Sequence, residues 1–583
     1  MRKYKEKLVA FILSVIMVLF IWHNFLVSGN NIIFIFILIS SFFLIKNSII
    51  IKNKRADIIA SIIAIMFALI EIICKSINYD YTLNHILDKW ILINFIGYFT
   101  ISFVIIKGIY YYLDIYNKED KKKKYGFKIN FLNNNYYMFV CFFLLILIAW
   151  IPYLLRYYPG IVTADSISTI EQSMGRMALS DHHPIAYTAI VSFCLNIGML
   201  LFKNIKTSIA LYSIVSMICM ALFDSVVLLY LKKKNTHKTI VIGALLIYMF
   251  YPVNAIYSIT MWKDILFSGL FPIFLILCNE LIFHTDLFLK SKKNISVFVM
   301  VSFLMIVLRH NGLYVVVLSL PLFYIPLKKY WKKLSWMFFI IIIINQIFNT
   351  IAFSILKVEK GSIGEMLSIP LQQIARVEKK HREELSEDIL NRINNIFITE
   401  RIGDYYDPTL SDSVKWKLDI KYIKQNKIEF LKVWMKLLSK YPKEYIESFI
   451  SNSYGYYYPE AFYSVVFRKN IDYDMKIEQS PKIEGKIIEK IDSLIDKRDI
   501  PLNSMFYSIG MGFWIIIICF GYKMYKKEYK YILLYLPIFV LWLTCIASPV
   551  FCEYRYAYPI FTSILLYISL NVTKENEKIK DNN

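Results

Sequence analysis

Runs of about 18 or more apolar residues recur along most of this 583-residue chain, and each is long enough to cross a bilayer as a helix. Hydrophobic side chains make up 57% of the residues, a share routine in membrane proteins and rare in soluble domains. The expected fold class is therefore an α-helical polytopic membrane protein. The first run, Leu8 to Val27, has no small-residue cleavage site after it, so it reads as a span and not as a removable leader.

Spans are expected near 8–27, 32–51, 56–76, 90–113, 136–156, 207–231, 239–257, 265–285, 294–308, 312–326, 336–356, 507–523, 530–548 and 557–572, about fourteen transmembrane helices. The formal net charge of +23 raises the question of nucleic acid, and the placement of the charge answers it. Residues 357–504 hold 25 Lys+Arg against 24 Asp+Glu, and the rest of the chain holds 42 against 20. The excess lies in short loops between spans, as the positive-inside bias predicts, and no basic face with stacking aromatics forms. No nucleic-acid partner is expected. "MRKYKEK" and "KEDKKKKYGFK" flank the first and fourth spans and belong in the cytoplasm, which places the polar stretch after residue 156 outside.

The segment Pro184 to Phe202 is the test of that topology. If it crosses, the basic loops 232–238, 290–293, 328–333 and 523–530 all fall outside. If it lies along the outer surface or re-enters, all four fall inside. The second arrangement agrees with the charge, and the "HHP" entry suits an interfacial helix.

The expected organisation follows. Residues 1–135 form an N-terminal membrane extension of four helices with a basic cytoplasmic loop. Residues 136–356 form a membrane core whose first outer loop is 157–183. Residues 357–504 form a mostly helical extracytoplasmic domain, 505–572 the C-terminal membrane helices, and 573–583 a cytoplasmic tail. Apolar positions recur at three-to-four spacing in "LQQIARVEKKHREELSEDILNRI" and "KIEFLKVWMKLLSKYPKEYIESFI". The eight cysteines include no CxxC pair and none in 357–504, so neither a disulfide-stapled outer domain nor a cysteine metal site is expected.

Residues able to carry chemistry gather at the outer ends of spans. Asp165, in "YYPGIVTADS", can accept a proton from a hydroxyl as general base, or it can serve in a helix cap. Asp181, His182 and His183, in "SDHHP", suit a divalent metal or a phosphate, with a surface loop as the plainer reading. Lys263 in "MWKD", Arg309 in "LRHNG" and Arg555 in "CEYRY" are cations at span rims. Charge at that depth is costly unless paired or functional, although a snorkelling rim residue would look the same. Lys263 has Asp264 beside it, and Arg555 has Glu553 two residues away. Gln372, Gln373 and Arg376 lie within about one helical turn and can face sugar hydroxyls or form the solvated side of an amphipathic helix. No GxxxxGK[ST], HExxH or GxSxG triad pattern occurs, which speaks against ATP-driven pumps and common hydrolases.

The layout, a span at 136–156 running into an outer loop with Asp165 and then the His-Pro element "DHHPIAYT", resembles the GT-C superfamily of polytopic glycosyltransferases, which includes protein O-mannosyltransferases, oligosaccharyltransferases and aminoarabinose transferases. Together, "YYPGIVTADS", "SDHHP", "WKDILFS", "LRHNG", "SIPLQQIAR" and "EYRYAYPI" carry a narrower likeness. The closest likeness is to an uncharacterised bacterial membrane family near those enzymes, and it covers roughly residues 136–572. The exit "LLFKN" departs from the usual pattern. The resemblance implies a GT-C-like core in a bacterial plasma membrane, with an extracytoplasmic active site. It implies a polyprenyl-phosphate sugar as donor and a cell-envelope polymer, lipid or protein as acceptor, and inversion at the anomeric carbon. It casts Asp165 as base and Lys263, Arg309 and Arg555 as holders of the donor phosphate. Asp181, His182, His183, Gln372, Gln373, Arg376 and Glu553 then line the loop and substrate site. No cofactor is certain, and a divalent metal at Asp165, Asp181 or His182 stays open. Two other classes compete. A transporter or flippase for a lipid-linked glycan would use mid-span acids such as Glu71 and Asp224. A scaffold for envelope assembly would need no chemistry at all.

Overall fold

A computed structural model describes residues 2–25, 31–119, 134–462, 464–470, 477–497, 500–548 and 550–572. The described residues form helices and turns with no β-strand beyond isolated bridges. The expected tail 573–583 and most of the basic loop after the fourth span lie outside the described residues.

Four helices come first: α1 (Arg2–Phe25), α2 (Asn31–Ile50), α3 (Lys54–Asp80) and α4 (Ile91–Glu119). Then follow α5 (Asn135–Arg156), α6 (Ala164–Ser173), α7 (Ile185–Phe202), α8 (Ile205–Lys233), α9 (Lys238–Phe250), α10 (Pro252–Ser258) and α11 (Lys263–Phe283). After α12 (Thr285–Lys290) come α13 (Lys292–Leu308), α14 (His310–Ser319) and α15 (Trp331–Thr350). The long polar segment contains α16 (Ser368–His381), α17 (Glu387–Ile396), α18 (Asp412–Lys415), α19 (Ile420–Gln425), α20 (Lys427–Lys440), α21 (Pro442–Ser453), α22 (Lys486–Asp496) and α23 (Pro501–Phe506). The chain ends with α24 (Ile509–Tyr525), α25 (Ile532–Ile546) and α26 (Tyr554–Val572). Ten of these helices are long and apolar enough to cross a membrane. Helix starts follow local chemistry. Asn53 accepts from the Ala56 amide at the head of α3, and Asn204 accepts from Lys206 and Thr207 at the head of α8.

The chain ends of the helices sort into two faces. The upper face, taken as the one that carries 357–504, holds the end of α5, because the Lys482 and Ser480 amides donate to Leu155 O and Tyr158 O, each at 2.8 Å. The start of α8 is there too, since Lys206 Nζ lies 3.3 Å from Ser480 Oγ. The far end of α8 meets the start of α5 on the lower face, where Lys232 Nζ donates to Asn135 Oδ1 at 3.0 Å. The same lower face gathers Lys333 at Leu289 O (3.1 Å), Lys526 at Asp114 (2.7 Å), and the tilted ring pair Phe283 and Tyr531. The four basic loops 232–238, 290–293, 328–333 and 523–530 thus share one face.

Helix α7 is long and apolar enough to cross, yet both of its ends lie toward the upper face. It starts beside Lys263 on the upper face and ends at Lys203, three residues before Lys206 on that same face. Lys203 turns the chain with φ +52, and Gly198 packs against the Ser208 backbone of α8.

Packing differs along the chain. One large apolar core joins α5, α8, α11, α13, α14, α25 and α26, with α11 almost wholly enclosed. Helices α1, α2 and α15 bury little and present Ile, Leu and Phe outward, as lipid-facing helices do. The segment 357–504 is not one body. Leu371 to Tyr445 build a separate core, whereas Tyr454 to Ile495 pack into the membrane core. All eight cysteines are free thiols.

Candidate functional site

The loop between α5 and α6 is built to press against the start of α11. Gly160 adopts φ +127, and a Cβ there would meet Ser213 Oγ at 2.0 Å and Ile259 O at 2.9 Å, so only glycine fits. Next to it, the Ile161 amide donates to Ile259 O and the Met261 amide to Ile161 O, both at 3.0 Å. Thr163 and Ser166 form a capping box at the head of α6. That box is tied to the other segment twice: Trp262 Nε1 donates to Thr163 Oγ1 at 2.8 Å, and Ser166 Oγ donates to Met261 O at 2.7 Å. Asp165 on α6 and Lys263 on α11 are therefore fixed on adjoining helix starts.

Asp165 is no cap residue. Its Oδ2 accepts from Arg555 Nη1 at 2.5 Å, and the side chain remains 38% exposed. Arg555 also has Glu553 Oε1 at 3.6 Å and lies over the rings of Trp262 and Tyr556 at 5.0 and 5.2 Å. Tyr556 serves a second guanidinium as well. Arg309 lies 5.0 Å from its centroid, donates to Tyr556 O at 3.2 Å, and holds Asp264 Oδ1 at 2.9 Å. The sequence neighbours Lys263 and Asp264 do not pair. Asp264, fully buried, takes Arg309, and Lys263 Nζ meets His183 Nδ1 at 3.0 Å. The close break that delivers Arg309 between α13 and α14 needs Gly312, whose Cβ would stand 2.0 Å from Met305 O.

Three cations and three acids thus balance: Lys263, Arg309 and Arg555 against Asp165, Asp264 and Glu553. Lys263 is the cation with a neutral partner, and it makes no ion pair among the described residues. Burial alone would push the Asp165 carboxyl up. Arg555, then Lys263, outweigh it and hold that carboxyl well below the ordinary carboxylate range. Burial raises the carboxyl of Glu553 in spite of Arg555.

His183 is 2% exposed, and because an ammonium only donates, its Nδ1 must accept and the ring must be neutral. Burial, reinforced by Lys263, pushes its pKa down to about 3. An unfolded chain titrates this group near ~6.5. Between those values the unfolded state binds a proton that the folded state refuses. The associated stability is full above about pH 6.5 and is lost as pH falls through that window. His183→Asn keeps an acceptor for Lys263, so it should flatten that part of the acid limb in thermal midpoints measured against pH. An identical limb in both proteins would show that His183 titrates normally.

The other loop residues, Asp181 and His182, lie nearer the surface than His183. The Asp181 amide donates to Glu359 O at 2.8 Å, and His310 Nε2 donates to Asp181 O at 2.9 Å. Burial raises the Asp181 carboxyl and lowers His182, the latter with help from Lys263. Among the described residues no three His, Cys, Asp or Glu side chains converge to hold a metal ion. Asp165, Asp181 and His182 therefore do not form a metal cage.

Three expected substrate residues are corrected. Gln372, Gln373 and Arg376 are 1%, 7% and 2% exposed, inside the separate core of the upper segment. Gln372 donates to Asp407 O at 2.7 Å. Gln373 bridges Tyr445 O and Trp434 Nε1 at 3.2 and 2.8 Å. Arg376 is taken by Glu444, Glu447, Tyr406 and Tyr81 O. Periodicity marked this helix as amphipathic, and the polar stripe turned out to be the inner one because its partners are polar too. Conversely, Asp264 and Trp262 belong to the site, although the sequence marks Asp264 only as a neighbour of Lys263 and does not single out Trp262. The usable signal was an acid and an arginine each placed at a span rim, which favours pairing.

A family model spans residues 174–583, more than two thirds of the chain, and its description is a family of unknown function, DUF6020. The chain belongs to the DUF6020 family. The DUF6020 match takes in Asp181, His183, Lys263, Asp264, Arg309, Glu553 and Arg555. It begins beyond Asp165 and leaves out α1 to α6. No curated protein and no solved structure matches the chain.

Proposed function

We propose that this DUF6020 protein is a membrane glycosyltransferase that moves a sugar from a polyprenyl-phosphate donor to an acceptor hydroxyl of the cell envelope. The observation that carries the reading is the pairing of Asp165 with Arg555 beside Lys263, at a helix rim where a lipid tail would hold a donor phosphate. The GT-C-like core, about fourteen crossings and an extracytoplasmic site in a bacterial plasma membrane belong to the same proposal. Support for that orientation comes from the basic loops, which share the lower face and suit the cytoplasm.

In this mechanism the acceptor oxygen attacks the anomeric carbon, and the bond from that carbon to the phosphate oxygen breaks. Polyprenyl phosphate leaves, and Asp165 takes the hydroxyl proton. One carboxylate and one displacement give inversion. Lys263, Arg309 and Arg555 are preorganised cations, which stabilise charge on a departing phosphate without reorganising. A carboxylate clamped by Arg555 is a weak base, since efficient bases have pKa values near the working pH. A donor phosphate that draws Arg555 to itself loosens the clamp and raises the basicity of Asp165 when it is needed.

The test is transfer by the purified protein from a panel of polyprenyl-phosphate sugars to envelope extract. Formation of polyprenyl phosphate together with glycosylated acceptor is expected for at least one donor. Binding of every donor with turnover of none would discard the enzyme reading. A transporter reading has one observation in its favour: Asp224 is 2% exposed inside α8, and its Oδ1 has no hydrogen-bond partner among the described residues. Movement of donor lipid across vesicles, without sugar transfer, would support it.

A further inference from the structure

A second site lies on the opposite face, at the seam between the N-terminal extension and α24. The heads of α3, the tail of α4 and the end of α24 enclose a cleft of about 510 Å³, counted with its open mouth. Lys52, Lys107, Lys118 and Asp114 are the charged residues of its lining, and from outside the lining Asp57 pairs with Lys107 and Glu6 with Lys52. Asp114 is already taken, since it accepts from Tyr522 at 2.9 Å, Tyr525 at 2.6 Å and Lys526 at 2.7 Å. Lys107 stands deepest, 4% exposed in the middle of an apolar helix, with Asp57 at 2.5 Å and the Phe103 ring at 5.5 Å. An ionised group at such a depth is costly and marks a functional position more often than a structural one. Lys52 and Lys118 are exposed at the mouth, Lys52 with Glu6 at 3.1 Å.

The walls say where a ligand would come from. Ile51, Ala56 and Ile115 make part of the lining apolar. Tyr111 and Tyr112, 43% and 73% exposed, stand beside it as membrane-interface tyrosines do. Asn53 and Tyr525, joined by a hydrogen bond of 2.7 Å, close one side with polar atoms. A basic pocket between helices at a membrane surface, apolar on one side, fits an acidic headgroup with its tails still in the leaflet.

We propose that this cleft binds the phosphodiester headgroup of an anionic phospholipid from the lower leaflet, with Lys52 and Lys118 gripping the phosphate and Lys107 behind them. The bound lipid would cement the four-helix extension to α24. This proposal is independent of the transferase reading.

The experiment compares full-length protein with the Lys52→Ala/Lys118→Ala double variant by native mass spectrometry, after delipidation and exposure to phosphatidylglycerol, phosphatidylcholine or inorganic phosphate. The wild type should retain phosphatidylglycerol over phosphatidylcholine. The double variant should lose about 25-fold in that affinity, about fivefold for each lysine near a charged surface. Lys52→Arg/Lys118→Arg should keep it. Equal retention of phosphatidylglycerol by wild type and alanine variant would overturn the site. Full displacement of the lipid by inorganic phosphate at equal concentration would overturn the lipid as occupant. Both lysines are exposed, so loss of fold is not expected, and matching thermal midpoints of the two delipidated proteins check it.

Discussion

Asp165→Asn is expected to lower the turnover of sugar transfer by about 10²–10⁴-fold, the usual contribution of a positioned general base. Asparagine keeps the size of the side chain and the hydrogen bond to Arg555 Nη1, so the site should stay assembled. What it removes is the capacity to take the acceptor proton. Arg555 keeps Glu553 at 3.6 Å, which limits the cost of losing one carboxylate. Polyprenyl phosphate release by purified wild type and variant, at saturating donor, measures the effect. A turnover within about threefold of wild type would take Asp165 out of the proton transfer and point to Asp181, whose carboxyl is raised by burial. The acid side follows with a definite sign. A carboxyl held below ~3.9 stabilises the fold at every pH above that value, and this stabilisation is lost as pH falls toward the folded value. In Asp165→Asn that part of the acid limb should be missing.

Arg376→Leu is expected to cost about 3 kcal/mol of stability, the lower part of the range for breaking one side of a buried ion pair. Arg376 is buried against two carboxylates, with Glu444 Oε2 at 2.7 Å and Glu447 on the other nitrogen. The estimate sits low because each acid keeps a second polar partner: His381 lies 3.3 Å from Glu444, and Lys443 lies 3.8 Å from Glu447. The damage should reach the N-terminal extension. Arg376 also donates to Tyr81 O at 3.0 Å, and Glu447 accepts from the Leu83 amide at 2.8 Å. A lower thermal midpoint with faster proteolysis between α3 and α4 is the expected result. An unchanged midpoint with a raised KM for acceptor would instead restore Arg376 as a sugar contact.

Much of the architecture could be read without coordinates, because burial in lipid is a local demand. A span needs enough consecutive apolar residues wherever it packs, and ten described helices meet that requirement. The interfacial course expected for Pro184–Phe202 rests on an indirect argument, the side on which a crossing would leave the lysines. In the structure α7 returns to its starting face because the chain reverses at Lys203 and packs α7 against α8. Hydropathy alone would have counted it as a crossing.

The site divides the same way. Sequence by itself determined that Asp165, His183, Lys263, Arg309 and Arg555 stand at helix rims, since a charge placed at the end of an apolar run has few other places to go. It also determined that the net positive charge belongs to short loops. Only the tertiary structure decided who pairs with whom: Asp165 with Arg555, 390 residues away, Arg309 with Asp264, and Lys263 with a histidine in preference to its own neighbour. It likewise decided that Arg376 faces inward. The reason is physical. Hydrophobic transfer is roughly additive along the chain and shows in its pattern, whereas a Coulomb contact depends on a few ångströms between elements distant in sequence.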